Sequence, residues 1–467
     1  MQMFDKKLIP ICMMFMHIQI PVLAEGTEAG RQYCSGTLPI MFINSEADIT
    51  SKEVYVNATC YIDALGQDGY ESLGTADFPV PLLIKGRGNW TWRAYEKKPY
   101  RLKFKDKVKP LGMENNRHFT LLAHADDDLA FLRNTVGFEL SKMIGMSYTP
   151  AQEPVEVVLN GDYIGLYMLT EKIRVDKNRV DIMEQVDMAT DPEEITGGWL
   201  LEIDNYEQEG QIYPQNSLED DLKFTVHSPE VLSKEQRNYI QTFLEKTDKA
   251  VYSTNRANRV WEDYIDMDTL VRYYIVREIV DDAESFRGSC FIHKERKIGE
   301  KDTKLIFGPV WDFGNAFQRG HEKFIWQDPP YGAMWIGKIY KFTRFIDHVV
   351  EIWQPFLGMQ YPKLDQAIDD FIERIRYAFS CDAARWPNYY YGPIDNRKLL
   401  MKQCLAEKVD FLTKEWGEGL VDVKGIALPV MSTGDDLYWY TLEGRRLNAR
   451  PSTPGLYLHG RRKVVIR

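Results

Sequence analysis

Residues 307–314 read Phe-Gly-Pro-Val-Trp-Asp-Phe-Gly, and they follow a helix, an acidic loop and a short hairpin in the sequence. The helix is predicted over residues 268–279, where apolar residues recur on one face and Asp268 is placed to cap the first turn. Strand signals over residues 289–293 and 305–307 predict the hairpin. Because helical periodicity dominates this half of the chain, we expect it to be helix-rich.

The acidic loop and the Asp-Phe-Gly turn carry the residues with the clearest chemical potential. Asp282 and Glu284 lie in the loop, and Asp312 lies in the turn. A protein kinase uses the same order, in which an acidic residue orients the acceptor hydroxyl and a later Asp holds Mg²⁺. The tripeptide alone is weak evidence for a kinase, because short motifs recur by chance. The interpretation therefore depends on its position after the acidic loop and the hairpin. We therefore predict Glu284 as catalytic, Asp282 as assisting it, and Asp312 with Glu284 as metal ligands.

The first half of the chain alternates strand signals with turns. Strands are predicted over residues 39–44, 53–62 and 80–85. A helix is predicted over residues 128–144, where Gly145 stops it. A hairpin is predicted from residues 155–159 and 163–169, because Asn160-Gly161 between them is the strongest short hairpin signal. A β-rich first part and a helix-rich second part together predict an α+β protein.

A glycine turn and a basic strand are candidates for binding phosphate. Gly86, Arg87 and Gly88 form a turn after a strand, and missing Cβ atoms let a backbone approach a phosphate. Strand alternation places Arg101 and Lys103 on one face, so both cations can share a cleft. An ordinary hairpin turn and a solvated basic strand face are the structural alternatives. The order of glycine turn and then lysine-bearing strand is the order of a kinase ATP site.

Six segments occur in a characteristic order along the chain: KGRGNWT (85–91), KPYRLK (98–103), LRN (132–134), VVLNGDYIGLY (157–167), GGWLLEID (197–204) and FGPVWDF (307–313). They resemble the successive signatures of the CotH family of atypical, protein-kinase-like phosphotransferases. The resemblance implies a kinase-like two-lobed fold over residues 25–420. It also implies ATP with Mg²⁺ or Mn²⁺ and transfer of a phosphoryl group to Ser or Thr of a protein acceptor.

The resemblance also assigns residues, and it shows two departures from the family. Asp312 matches the metal-binding Asp, Lys103 stands where a phosphate-binding Lys is expected, and Glu171 stands near a kinase hinge; a surface ion pair is the alternative for Glu171. The family commonly presents Asn-x-Asp where this chain has Asp282 and Glu284, and often a further Asp where this chain has Gly314. A catalytically weak or inactive surface binding, adhesion or envelope-assembly protein is therefore the alternative function.

The two ends of the chain suggest export. Residues 1–24 have the basic start, apolar run and small final residue of a signal peptide, with cleavage predicted after Ala24. We expect a periplasmic, surface or secreted protein with no membrane span once this segment is removed. Residues 421–467 look like a small strand-rich appendage for secretion or attachment. The net charge of −11 gives no broad basic field, which argues against nucleic acid as a partner.

Five cysteines remain after the predicted cleavage, an odd number in a compartment where disulfides persist. Cys34 and Cys60 flank the first predicted strands and are the preferred pair. Two ordinary buried thiols are the equally weighted alternative. No Cys or His spacing in the sequence suggests a zinc site.

Overall fold

A computed structural model describes residues 28–214, 222–282, 284–318, 322–327, 334–389 and 392–417, with short pieces at 439–441, 446–447, 451, 453, 455–459 and 462–466. The predicted signal peptide at residues 1–24 lies outside the described residues. Within them, no helix is both long enough and apolar enough to cross a membrane.

Seven strands form a closed barrel in the first part of the chain. They are β1 (Ile40–Ser45), β2 (Val56–Asp63), β3 (Val80–Gly86), β4 (Tyr100–Val108), β5 (Asn116–Leu122), β6 (Gln152–Leu159) and β7 (Asp162–Glu171). Their order is β1-β2-β3-β4-β5-β7-β6, and β1 closes the ring by pairing in parallel with β6. The barrel interior is filled by alternate apolar residues, as expected for a small barrel.

Strand β4 shows why the barrel presents cations on its outside. Leu102 and Phe104 are fully buried in the interior, whereas Arg101 and Lys103 alternate with them and are partly exposed. The predicted sharing of one face by the two cations is confirmed. The Asn160-Gly161 hairpin is also confirmed, since both residues have positive φ and Leu159 pairs with Asp162.

Helices and a second sheet follow the barrel. The helices are α1 (Trp90–Ala94), α2 (Leu132–Ile144), α3 (Lys234–Tyr252), α4 (Met267–Ile279), α5 (Trp335–Ile339), α6 (Thr343–Pro355), α7 (Tyr361–Arg385) and α8 (Ile394–Trp416). The second sheet has the order β11-β10-β8-β9, from β8 (Trp199–Ile203), β9 (Phe224–Ser228), β10 (Cys290–Lys294) and β11 (Ile306–Phe307). The predicted helix, loop and hairpin before Asp312 are therefore α4, its following loop, and β10 with β11.

Four short strands lie near the carboxyl end, in the region predicted as a strand-rich appendage. They are β12 (Trp439–Tyr440), β13 (Arg446–Leu447), β14 (Gly455–His459) and β15 (Arg462–Ile466), in the order β13-β12-β14-β15. The role of this region in secretion or attachment stays a prediction.

Two predicted helix starts were wrong. Helix α2 begins at Leu132 rather than at residue 128, because Ala130 and Phe131 have positive φ and cannot continue a right-handed helix. Helix α4 is capped by Asp266 rather than Asp268, since the Asp266 carboxylate accepts from the Thr269 amide at 2.9 Å.

The α+β class is confirmed, but the first part of the chain is not the open sheet of a typical two-lobed kinase. The parallel pairing of Ile40 with Glu156 closes the sheet into a barrel. The preferred Cys34–Cys60 disulfide was also wrong. Cys60 points into the barrel interior, Cys34 packs outside it near Cys381, and all described cysteines are free thiols.

A buried ion pair ties the barrel to helix α7. The Lys97 ammonium lies 2.7 Å from an Asp382 carboxylate oxygen, and both side chains are fully buried. The second Asp382 oxygen accepts from the Leu166 amide at 2.8 Å. Gly165 permits this approach, because a Cβ there would lie 1.9 Å from that oxygen. Both charges are therefore satisfied only when barrel and helix are in contact.

Replacing Asp382 tests this connection. D382A leaves the Lys97 charge buried and unpaired, so we expect the free energy of unfolding to fall by about 3–5 kcal/mol. Chemical denaturation measures the change. D395N is the control, since Asp395 pairs with Arg376 at the exposed surface and its loss should leave the unfolding midpoint unchanged. Equal effects of the two variants would contradict the role of the buried pair.

Candidate functional site: an acidic cluster beside a basic cleft

Asp312 is exposed and lies beyond β11, after the intervening residues 308–311. Its φ of 57° is in the left-handed region, and one carboxylate oxygen accepts from the Gly314 amide at 3.2 Å. The remainder of the carboxylate faces solvent, so it is open to a ligand. The flanking Trp311 and Phe313 are buried and hold the turn in place.

Helix α2 supports this turn from one side through the LRN segment. The Arg133 guanidinium donates to the Ala316 carbonyl at 2.9 Å, and the Asn134 side chain accepts from the Phe313 amide at 3.1 Å. Gly137 lies under the Phe313 ring, where a Cβ would come within 2.4 Å of a ring carbon. The helix therefore fixes the position of the Asp-Phe-Gly backbone.

Helix α4 supports the turn from the other side through Arg277, which is fully buried. Its guanidinium donates to the carbonyls of Trp311 and Asp312, and it pairs with an Asp282 oxygen at 2.8 Å. The other Asp282 oxygen accepts from the Glu284 amide at 2.9 Å. Asp282 is thus a positioning residue whose oxygens are both engaged, which differs from the assisting catalytic role predicted from sequence.

Glu284 lies in the same cluster as Asp312. Burial raises the pKa of Glu284, and the nearby charges of Asp282 and Asp312 raise it further. Hydrogen bonds from Asn315 and Asn205 act in the opposite direction. Glu284 and Asp312 are therefore close enough for their charges to act on each other, and two amide side chains orient Glu284. The catalytic and metal-binding roles of Glu284 and Asp312 stay predictions.

A fourth carboxylate, Asp126, joins the cluster from the loop between β5 and α2. Burial raises its pKa most, and the neighbouring Asp312 contributes to the increase. Asp126 could not be predicted as a site residue, because no motif in the sequence marks it. The run Asp126-Asp127-Asp128 before an apolar helix was the available signal, although two of its members have structural roles.

A row of cations leads away from Asp312. Arg87 is close enough for the Asp312 charge to raise its pKa, although burial lowers that pKa overall. Arg101 follows Arg87 along the barrel surface, and its Nε is buried without a hydrogen-bond partner among the described residues. Lys103, opposite His118 in the strand register, continues the row and is partly exposed.

Arg101 opens into a cleft of about 380 Å³ between the barrel and the second sheet. Basic residues on its barrel side are His118, Lys172 and Arg174, and Ile173, Val175 and Leu200 supply apolar surface. The lining also includes three carboxylates, those of Glu184, Asp187 and Glu230. Burial, with Arg101 and Arg174 nearby, lowers the pKa of Lys172 to about 7. An anionic ligand would stabilise these neighbouring, partly buried cations.

The glycine turn does not have the phosphate-cradling role that the sequence predicts for its backbone. The Gly86 and Arg87 amides donate to the carbonyls of Ser51 and Pro99, so neither amide is free to cradle a phosphate. Gly86 instead makes room for the Trp92 ring, and Gly88 has a φ of 80° that suits the turn. Of this segment, the Arg87 side chain is the group directed to the site.

Glu171 lies beside the cleft but faces inward. Its carboxylate accepts from the Tyr148 hydroxyl at 3.0 Å and from the Ala151 amide at 3.1 Å, and Arg179 is 3.9 Å away. It is a buried ion pair rather than the surface pair considered from sequence. The adjacent Lys172, which sequence reasoning missed, is the residue that lines the cleft.

Among known protein families, the one described as CotH kinase protein matches residues 84–414. This chain belongs to that family. The matched residues include Arg87, Arg101, Glu284 and Asp312, so the acidic cluster and the basic cleft both lie in the family region. No curated protein matches the chain.

The family implies a divalent cation, and the donor chemistry fits one. Within the described ranges, no group of three or more His, Cys, Asp or Glu side chains is arranged to hold a metal ion. Mg²⁺ in phosphate-transfer sites typically uses only one or two carboxylates and takes further oxygens from the nucleotide and water. Asp312, with one neighbouring carboxylate, is sufficient for such a site.

Gly137 gives a direct test of how the turn is supported. G137A places a methyl group against the Phe313 ring, so we expect the free energy of unfolding to fall by about 1–3 kcal/mol despite the better helix propensity of Ala. Denaturation measures this loss, and E139A on the same helix is the control, with a change within about 0.5 kcal/mol. A G137A protein as stable as the parent would show that Phe313 is not confined as described.

Proposed function

We propose that this protein binds ATP with Mg²⁺ or Mn²⁺ and transfers the γ-phosphoryl group to a Ser or Thr hydroxyl of a protein acceptor. The observation that carries the proposal is the proximity of Glu284 and the exposed Asp312 carboxylate to each other and to Arg87, next to the cleft that Arg101 and Lys172 line. Family membership supports the same conclusion at the level of a kinase-like protein.

The residues have distinct roles in the proposal. Arg87, Arg101 and Lys103 bind phosphate oxygens, and the apolar and basic cleft beyond them takes the remainder of the nucleotide. Asp312 would hold the metal ion, whose chemistry there would be to neutralise charge on the transferred phosphoryl group. Glu284, in its ionised form, accepts the proton of the acceptor hydroxyl as the new oxygen–phosphorus bond forms and the bond to the leaving ADP oxygen breaks.

A non-catalytic binding protein is the second candidate, and one observation favours it. The Glu284 carboxylate accepts hydrogen bonds from Asn205 and Asn315, and these bonds favour its ionised form, which reduces its readiness to accept a proton. In this case the cleft would bind a nucleotide or another anion without phosphoryl transfer. The same experiment separates the two candidates.

Two variants test the proposed roles. D312N should abolish the stabilisation of the protein by Mg-ATP, because an amide is a weaker metal ligand than a carboxylate. E284Q should keep that stabilisation while any phosphoryl transfer falls by about 100-fold or more. Thermal unfolding with nucleotide and transfer of labelled phosphate are the two measurements.

D410N is the control for both measurements, since Asp410 is exposed on α8 and pairs with Lys414. The kinase proposal is wrong if the parent protein shows no stabilisation by Mg-ATP or Mn-ATP. Stabilisation of the parent without transfer to any protein acceptor, including itself, supports the binding protein instead.

We also propose that the protein is exported, on the basis of the sequence of residues 1–24. Expression in a bacterial host, fractionation and amino-terminal sequencing test this. We expect the mature chain to begin at Glu25 outside the cytoplasm. A chain recovered in the cytoplasm with residues 1–24 intact would contradict export.

A further inference from the structure

The loop before helix α2 carries three consecutive aspartates with three different environments. Asp127 is buried and accepts from the amides of Leu129 at 2.9 Å and Arg133 at 3.2 Å. Asp128 pairs with the Arg133 guanidinium at 2.7 Å and is partly exposed. Asp126 instead faces the Asp-Phe-Gly turn, so only this member of the run is directed to the acidic cluster.

Position 314 shows how close Asp126 and Asp312 are. A Cβ built on Gly314 would lie 3.4 Å from an Asp312 carboxylate oxygen and 4.0 Å from an Asp126 carboxylate oxygen. Both oxygens therefore approach one small space, which the absent side chain of residue 314 leaves open. Oxygen donors around a space of this kind suit Mg²⁺ or Mn²⁺.

We propose that Asp126 and Asp312 together hold the divalent cation, with Asp126 replacing the carboxylate that position 314 lacks. This inference rests on the proposed function, and it changes the sequence-based assignment in which Glu284 was the second metal ligand. Glu284 is oriented by Asn205 and Asn315 and serves the acceptor hydroxyl instead. Asp126 and Asp312 come from loops that are far apart in sequence and are brought together by α2.

Charge provides a second reason for the assignment. Two neighbouring carboxylates repel each other when both are ionised, and a cation between them removes the repulsion. Beside Asp126, the His124 side chain is only 7% exposed, and its Nε2 has no hydrogen-bond partner within the described part of the chain. A buried polar atom without a partner beside Asp126 is one that a ligand or ordered water at this position would satisfy.

The test measures Mn²⁺ binding directly, by electron paramagnetic resonance of free Mn²⁺ with and without ATP. D126N, which keeps the shape of the side chain, should weaken Mn²⁺ binding by about tenfold or more, as D312N should. D128N is the matched control, and both D128N and E284Q should bind Mn²⁺ as the parent does. Circular dichroism confirms that each variant is folded.

A compensating variant sharpens the result. G314D directs a carboxylate into the same space, where its Cβ makes only ordinary contacts and the backbone φ is not in the left-handed region. The double variant D126N/G314D should therefore recover most of the Mn²⁺ binding that D126N loses. Rescue would not occur if D126N acted only through the fold of the loop.

The outcomes distinguish this inference from the proposed function. If the parent binds Mn-ATP and D312N does not, but D126N binds like the parent, the Asp126 assignment is wrong and the kinase proposal stands. If E284Q loses Mn²⁺ binding and D126N keeps it, Glu284 is the second ligand. If the parent binds neither Mn²⁺ nor Mn-ATP, the proposed function fails and this inference fails with it.

Discussion

The geometry of the candidate site depends on the buried guanidinium of Arg277. Only an arginine offers several donors in one plane, and here they reach the carbonyls of Trp311 and Asp312 and the Asp282 carboxylate. The Asp312 backbone is left-handed, at a cost of about 1 kcal/mol or more, so the turn needs such support. Because Asp282 in turn holds the Glu284 amide, one buried cation aligns both sides of the acidic cluster.

The barrel contributes the opposite charge to the site. An alternating strand that buries Leu102 and Phe104 must direct Arg101 and Lys103 outward, and closure of the barrel leaves that outer face against the second sheet. Burial lowers the pKa of Lys172, and repulsion from the neighbouring Arg101 and Arg174 lowers it further. The carboxylates and the cations are thus presented by separate parts of the fold. In the proposed function, the nucleotide phosphates would neutralise the cations and the divalent metal ion would neutralise the carboxylates.

Local features of the fold could be predicted from the sequence, and contacts between distant segments could not. The Asn160-Gly161 turn, the face of β4 and the order of helix, loop, hairpin and Asp312 follow from local periodicity and turn chemistry. Barrel closure through Ile40 and Glu156, and the inward orientation of Glu171, depend on contacts between distant segments. Asp126 was missed for the same reason, since only the packing of α2 on Phe313 brings its loop to the site. Arg277 sits on a helical face that sequence periodicity marks simply as buried.

The two departures from the family pattern have one physical explanation if Asp126 is the second metal ligand. A carboxylate at position 314 would then be a third negative group in a space already shared by Asp126 and Asp312, and a single divalent cation balances only two. Glycine at 314 avoids that excess charge. If residue 284 does not bind the metal, it needs only to reach the acceptor hydroxyl. A Glu side chain, which is longer than Asp, can do so while Asn205 and Asn315 restrict its motion. The changes at 284 and 314 are then adjustments to a ligand supplied from the other side of the site rather than independent losses.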